Sequence, residues 1–271
     1  MIRTRDPLDP KLSMWHFLAF YLRFMREKEG LSLAQWGKII GAARSSVSNM
    51  EAGRHKLQVD QARRIDVKLG TGGLFELLLY FARTAHDPNW FRQYSQFERK
   101  SDEIRIFHGQ AVPLLLQTDD YTRAYARLSA SKDLERVVSG RIARKRAIFE
   151  REDPPYIWAI LDEAALARPV GGREAMRAQI QHLIDLAERW NVILRIVPFS
   201  AGAHPGADGS FQLVDFEGRD IAYAGAQAGG RLIEMAEEVK LMIVKFDRIG
   251  AKAASEDASL EILRMYLERY A

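Results

Sequence analysis

The sequence predicts an all-α N-terminal unit of five helices, two of them joined as helix, turn, helix, followed by a larger α/β unit on a mixed sheet. Three observations carry this. Apolar side chains recur at helical spacing up to about residue 84, interrupted at glycines that permit left-handed turns. After Asp153-Pro154-Pro155, apolar runs of strand length alternate with helical stretches. The net charge of +4 divides unevenly, with 14 Lys and Arg against 8 Asp and Glu in residues 1–86 and 26 against 28 beyond them.

A chain of 271 residues with 47% hydrophobic and 28% charged side chains has the composition of a globular protein long enough for two cores. It contains no cysteine, so disulfides, thiolate metal sites and a cysteine nucleophile are excluded. The opening residues, Met1 to Pro10, mix charge and proline and do not resemble a signal peptide. Apolar stretches such as Phe17 to Leu22 fall far short of the roughly 20 residues of a membrane helix. A cytoplasmic protein with no membrane association is expected. A basic N-terminal unit on a near-neutral body suits a polyanionic partner, because neutralised phosphates release counterions.

From Lys11 to Glu29, Trp15, Leu18, Leu22 and Met25 mark the first helix, and Phe17, Phe20, Tyr21 and Phe24 widen its apolar face. That breadth is read either as packing or as a dimer or interdomain contact. Ser32-Leu33-Ala34-Gln35 has capping-box spacing and opens the second helix, which runs through Trp36, Ile39 and Ile40 to Gly41. A third helix follows from Arg44 to Glu51, with Val47 and Met50 facing the core and Arg44, Ser45, Ser46, Ser48 and Asn49 outward. Arg can pair with guanine, Asn with adenine and Ser with either, while a helix fits the DNA major groove. The plainer alternative is the polar face of a helical bundle whose serines cap helix starts.

The ordered run from Gly30-Leu31-Ser32 through Gly41, Val47, Ser48 and Met50-Glu51-Ala52-Gly53-Arg54 resembles the Xre-type, lambda-repressor-like helix-turn-helix of phage repressors and bacterial regulators. The resemblance covers residues 12 to about 84. It implies a base-reading role for Arg44, Ser45 and Asn49, other or phosphate contacts for Ser46, Ser48, Arg54 and Lys56, and a homodimer on two DNA half-sites. Leu33 stands where many relatives carry Gln, and Ala43 replaces the usual Ser or Thr cap.

Beyond Asp87-Pro88-Asn89, the side chains of Trp90, Phe91, Tyr94, Phe97 and Ile104 suggest a long aromatic-rich helix. Phe107 to Leu116 reads as extended or irregular, Thr118 opens a helix through Leu128, and Arg141 to Glu152 forms a charged helix. Strands are expected at 156–161, 192–199, 211–216 and 221–224, with helices at 173–190, 235–249 and 256–269. The first two strands suit a parallel crossover and the last two a hairpin. The expected domains are therefore 10–86 for DNA binding, 87–155 as a helical connection and 156–271 as an α/β regulatory or partner-binding domain.

A second resemblance is carried by Val112-Pro113 with Leu115-Leu116-Gln117-Thr118-Asp119-Asp120-Tyr121, by Leu161-Asp162-Glu163-Ala164-Ala165-Leu166, by Arg168-Pro169-Val170-Gly171-Gly172, and by Val197-Pro198-Phe199 through Gly206. These segments resemble the antitoxin-like, WhiJ-type regulators common in actinobacteria. The resemblance implies transcriptional regulation, as a repressor, tuned through the C-terminal domain by an effector or by a small acidic protein encoded by a neighbouring gene. Its alternative is an antitoxin-like protein whose main role is neutralising a partner. Leu114 stands where relatives usually have Gly, and Ala224-Gly225 where they often have an acidic residue.

The glycine-rich segment with His204 and Asp208 is the candidate ligand or partner loop, since glycines let backbone and side chains approach a ligand. No second catalytic group accompanies His204, and adjacent Asp162 and Glu163 should point apart. The sequence has no HExxH, Walker or dinucleotide-binding motif, and its six histidines lack metal-ligand spacing. No catalytic residue, metal or cofactor is expected, and the chain is not expected to be an enzyme.

Overall fold

The computed structural model describes residues 8–84, 90–128, 131–225 and 230–271. The Asp87-Pro88-Asn89 break, and with it the expected boundary at 86, lies outside them. The chain divides into two compact units, Met1–Asn89 and Trp90–Ala271.

The first unit is the predicted set of five helices: α1 (Met14–Lys28), α2 (Leu33–Ile40), α3 (Arg44–Glu51), α4 (Val59–Leu69) and α5 (Leu74–Thr84). They close around Leu18, Leu22, Trp36, Ile40, Val47, Ile65, Phe75 and Leu79, all fully or almost fully buried. Local chemistry sets the helix ends. The Ser32 hydroxyl accepts the Gln35 N–H while Gln35 Oε1 accepts the Ser32 N–H at 2.9 Å, so the box caps α2 as its spacing predicts. Gly41 ends α2 with φ of 69°, a left-handed value that glycine adopts without strain. Gly37 serves a different need: a β-carbon there would lie 2.3 Å from the Ala42 carbonyl oxygen, so the turn between α2 and α3 closes only over a bare backbone. Asp66, buried on α4, accepts the N–H groups of Phe75 and Glu76 at 2.8 and 2.9 Å and fixes the start of α5.

The second unit is α/β, with one six-stranded mixed sheet in the order β3-β2-β1-β4-β5-β6. The strands are β1 (Glu103–His108), β2 (Tyr156–Asp162), β3 (Val192–Val197), β4 (Phe211–Phe216), β5 (Arg219–Ala224) and β6 (Arg231–Ile233). The β1, β2 and β3 strands are parallel to one another, whereas β4 runs against β1 and continues into antiparallel β5 and β6. Period-two alternation sends Ile104, Ile106, Ile157, Ala159, Leu161, Leu194 and Ile196 into one core and Phe107, Ile160, Val197, Phe211 and Leu213 into another. The larger core packs against α6 (Trp90–Glu98), α10 (Arg173–Ala187) and α12 (Glu256–Arg269), and the smaller against α11 (Ala236–Gly250). Helices α7 (Asp119–Ala126), α8 (Leu134–Phe149) and α9 (Ala164–Ala167) complete the unit.

Two expectations need correction. Ile104 does not continue the aromatic helix: α6 stops at Glu98, and Glu103-Ile104-Arg105-Ile106 alternates as strand β1. The stretch 87–155 is therefore not a helical connection, because β1 pairs with both β2 and β4 in the middle of the sheet. Phe107 to Leu116 is extended and irregular as expected: Phe107 and His108 finish β1, and a 3-10 turn, Leu114–Leu116, precedes α7. Among the described residues, no helix is long and apolar enough to cross a membrane.

Candidate nucleic-acid interface

The third helix presents the predicted polar face. Val47 and Met50 are buried, Arg44, Ser45 and Ser48 are exposed, and Ser46 and Asn49 are partly exposed. The helix starts without a side-chain cap, since Ala43 occupies the N-cap position in extended conformation (φ −65°, ψ 153°) and offers no acceptor. Ala43→Ser fits that backbone, and we expect it to raise the stability of the first unit by about 1 kcal/mol. A thermal melt checks this, and an unchanged midpoint would show that water already satisfies the free N–H groups of α3.

The sequence reading missed what holds this helix in place. Glu51, the last residue of α3, turns inward and takes both ends of the Arg26 guanidinium, at 2.6 and 2.8 Å, with the two side chains only 6% and 12% exposed. Arg26 also donates to the Leu31 carbonyl at 3.0 Å, so one α1 side chain ties together the loop before α2 and the end of α3. Bonding to Glu51 more than offsets the burial of Arg26 and holds its pKa above the ordinary value. The outward face of α3 is left without a carboxylate, the arrangement a phosphate-bearing partner requires.

The turn after α3 wraps back on Asn49, whose carbonyl accepts the N–H groups of Arg54 and His55 at 2.8 and 3.2 Å. Asn49 Oδ1 also accepts Arg54 Nη1 at 2.8 Å, so the structure joins a base-reading candidate to a phosphate candidate. Lys56 stands elsewhere, with Nζ 4.9 Å from the centre of the Trp15 ring.

The loop candidates of the second unit do not form one site. The His204 ring is buried, with Nε2 2.8 Å from Asp162 Oδ2 and Nδ1 accepting the Gly206 N–H at 3.2 Å. Asp208 is exposed and paired with Lys245 at 2.8 Å, a hydrogen bond that lowers its pKa. Asp162 and Glu163 diverge as expected: Asp162 Oδ1 caps the Ala164 N–H at 2.8 Å, while Glu163 accepts the Phe199 N–H at 2.7 Å and the Tyr266 hydroxyl at 2.9 Å. Among the described residues, no group of three or more His, Asp and Glu side chains is placed to hold a metal ion.

The fold is that of a helix-turn-helix DNA-binding regulator, and residues 18–78 match the family model described as a helix-turn-helix domain. Residues 91–265 match a second model, described as a domain of unknown function (DUF5753), and the chain belongs to that family. Searches of curated proteins and of solved structures gave no match.

Proposed function

We propose that the protein is a sequence-specific regulator of transcription that acts in the cytoplasm as a homodimeric repressor on double-stranded DNA. The observation carrying this reading is the outward face of α3, polar and free of carboxylate from Arg44 to Asn49. Arg44, Ser45 and Asn49 read base edges, and Ser46, Ser48, Arg54 and Lys56 hold the backbone. Because Arg54 occupies Asn49 Oδ1 in the free protein, bidentate reading of adenine by Asn49 accompanies the swing of Arg54 to a phosphate. Dimerisation is supported by Phe20 and Phe24 on α1, which remain 43% and 47% exposed.

The C-terminal unit is a regulatory module of the WhiJ type that responds to an effector or a small acidic protein. Binding, not catalysis, is its proposed work, because the His204 ring has both nitrogens committed to internal hydrogen bonds. A second reading, an antitoxin-like protein whose main task is holding a partner, is favoured by Tyr156, Trp158 and Trp190, which are 53%, 39% and 71% exposed.

The test is a salt-dependent titration on the protein's own upstream DNA and on scrambled DNA. Arg44→Ala and Asn49→Ala should each weaken specific binding by about 1 to 3 kcal/mol with little change on scrambled DNA. Arg54→Ala should instead weaken both and lower the salt slope by about 1. Equal binding of both DNAs by wild type and variants would defeat base reading by α3, and co-purification of a small acidic protein without DNA binding would favour the second reading.

A further inference from the structure

The second unit contains a cavity of about 250 Å³ bounded by α6, α7, α8 and the β4–β5 hairpin. Its walls are aromatic: Phe91 and Tyr223 meet edge to face at 6.1 Å, and Tyr125 lines it from α7. Two arginines from successive turns of α8 reach it, in different states. Arg144 is neutralised by Glu98, with hydrogen bonds of 2.5 and 2.7 Å, and its guanidinium lies over Phe91. Arg141 has no acidic partner among the described residues and only rests 5.9 Å from the centre of the Tyr125 ring.

The remaining polar groups are donors in excess. Gln212 spends its carbonyl on the Tyr94 hydroxyl at 2.6 Å, leaving its NH2 group without an acceptor among the described residues. Ser210 Oγ accepts the Gly109 N–H at 3.4 Å, which leaves its own proton to give. His108, on the cavity wall, adds no charge at neutral pH, since burial pushes its pKa down to about 4. Among the described residues, no carboxylate lines the cavity. Such a site holds one uncompensated positive charge, surplus donors and flat apolar walls, and its occupant must supply the complement. The volume lies just under the roughly 300 to 1,000 Å³ usual for small-molecule pockets, which limits the occupant to one ring system.

We infer that this cavity binds a small aromatic carboxylate, its ring against Phe91, Tyr125 and Tyr223 and its carboxylate on Arg141 and Gln212. The effector role of such a ligand rests on the proposed regulatory reading. Phe91 is the second residue of α6, the first element of the second unit. A ring stacked on Phe91 fixes the first turn of that helix.

Calorimetric titration of the full chain with benzoate, 4-hydroxybenzoate and indole-3-carboxylate tests the site, with benzamide and indole-3-carboxamide as uncharged counterparts. At least one carboxylate should bind saturably with one site per chain, and its amide should bind at least about tenfold more weakly. Arg141→Gln should produce the same loss, and Phe91→Ala, at a half-exposed position, should weaken binding while leaving the circular dichroism spectrum unchanged. Absence of binding by all three carboxylates, or binding indifferent to both the amide and Arg141→Gln, overturns the inference. Repeating the DNA titration with the bound carboxylate separates the two levels: changed affinity supports the effector role, whereas ligand binding with unchanged DNA affinity supports the site and defeats that role.

Discussion

Glu51→Ala should destabilise the DNA-binding unit by about 3 to 5 kcal/mol, because it strands the Arg26 guanidinium, 12% exposed, without its counter-charge. A domain holds only about 5 to 15 kcal/mol in total, so the unit should be close to unfolding at 37 °C. Arg26→Ala should be similarly severe, since the Glu51 carboxylate is still more deeply buried and Leu31 also loses its donor. The paired change Arg26→Met with Glu51→Leu should recover much of the loss, because it removes both charges and keeps apolar volume. Urea unfolding read by circular dichroism should show the loss as a helical transition at lower denaturant than in wild type. If the single substitutions cost under about 1 kcal/mol, the pair is dispensable and α3 is held by Val47 and Met50 alone. At a temperature where the double variant is folded, it should still bind DNA, since Arg26 and Glu51 hold α3 from its buried side.

The parts of this molecule legible in the sequence are those whose cause is local. Ser32 and Gln35 are three residues apart, Gly41 acts through its own backbone, and Val47 and Met50 share a face by helical period alone. The strands at 156 and 192 are readable because their apolar, β-branched and aromatic runs are of strand length, although the outward positions of β2, Tyr156 and Trp158, stay exposed. β1 was not, although it sits in the middle of the sheet. Glu103 and Arg105 interrupt its apolar residues, and the aromatic spacing of α6 runs up to its door, so Ile104 fits a helix as well as a strand. β6 has only three residues and no pattern to find. The polar pairs that organise the candidate sites were equally hidden: Arg26 and Glu51 are 25 residues apart, His204 and Asp162 are 42, and Arg144 and Glu98 are 46. Each joins elements whose proximity is a result of folding. The helix that the sequence shows only as charged thus carries, in Arg144, one member of a buried pair.

That pair supports the second large prediction, and its sign depends on which partner is lost. Glu98 is fully buried and Arg144 is 11% exposed, with the guanidinium 4.8 Å from the centre of Phe91 and 5.7 Å from that of Tyr94. Glu98→Ala leaves a cation that does not deprotonate in proteins, so the second unit should lose about 3 to 5 kcal/mol at every accessible pH. Arg144→Met leaves a carboxylate that can escape its burial by taking a proton. Acid relieves that buried charge by protonation, and alkali does not. The Arg144→Met protein should therefore be least stable near pH 8 and recover relative to wild type as the buffer is taken toward pH 5. Arg144→Lys should not rescue the wild-type behaviour, because an ammonium cannot make the two-point contact or lie flat over Phe91. Unfolding curves of the three variants at pH 5 and pH 8 decide the matter. A pH-independent loss in Arg144→Met would mean that water reaches Glu98 when the arginine is gone, and that the pair is held by solvation instead of by burial.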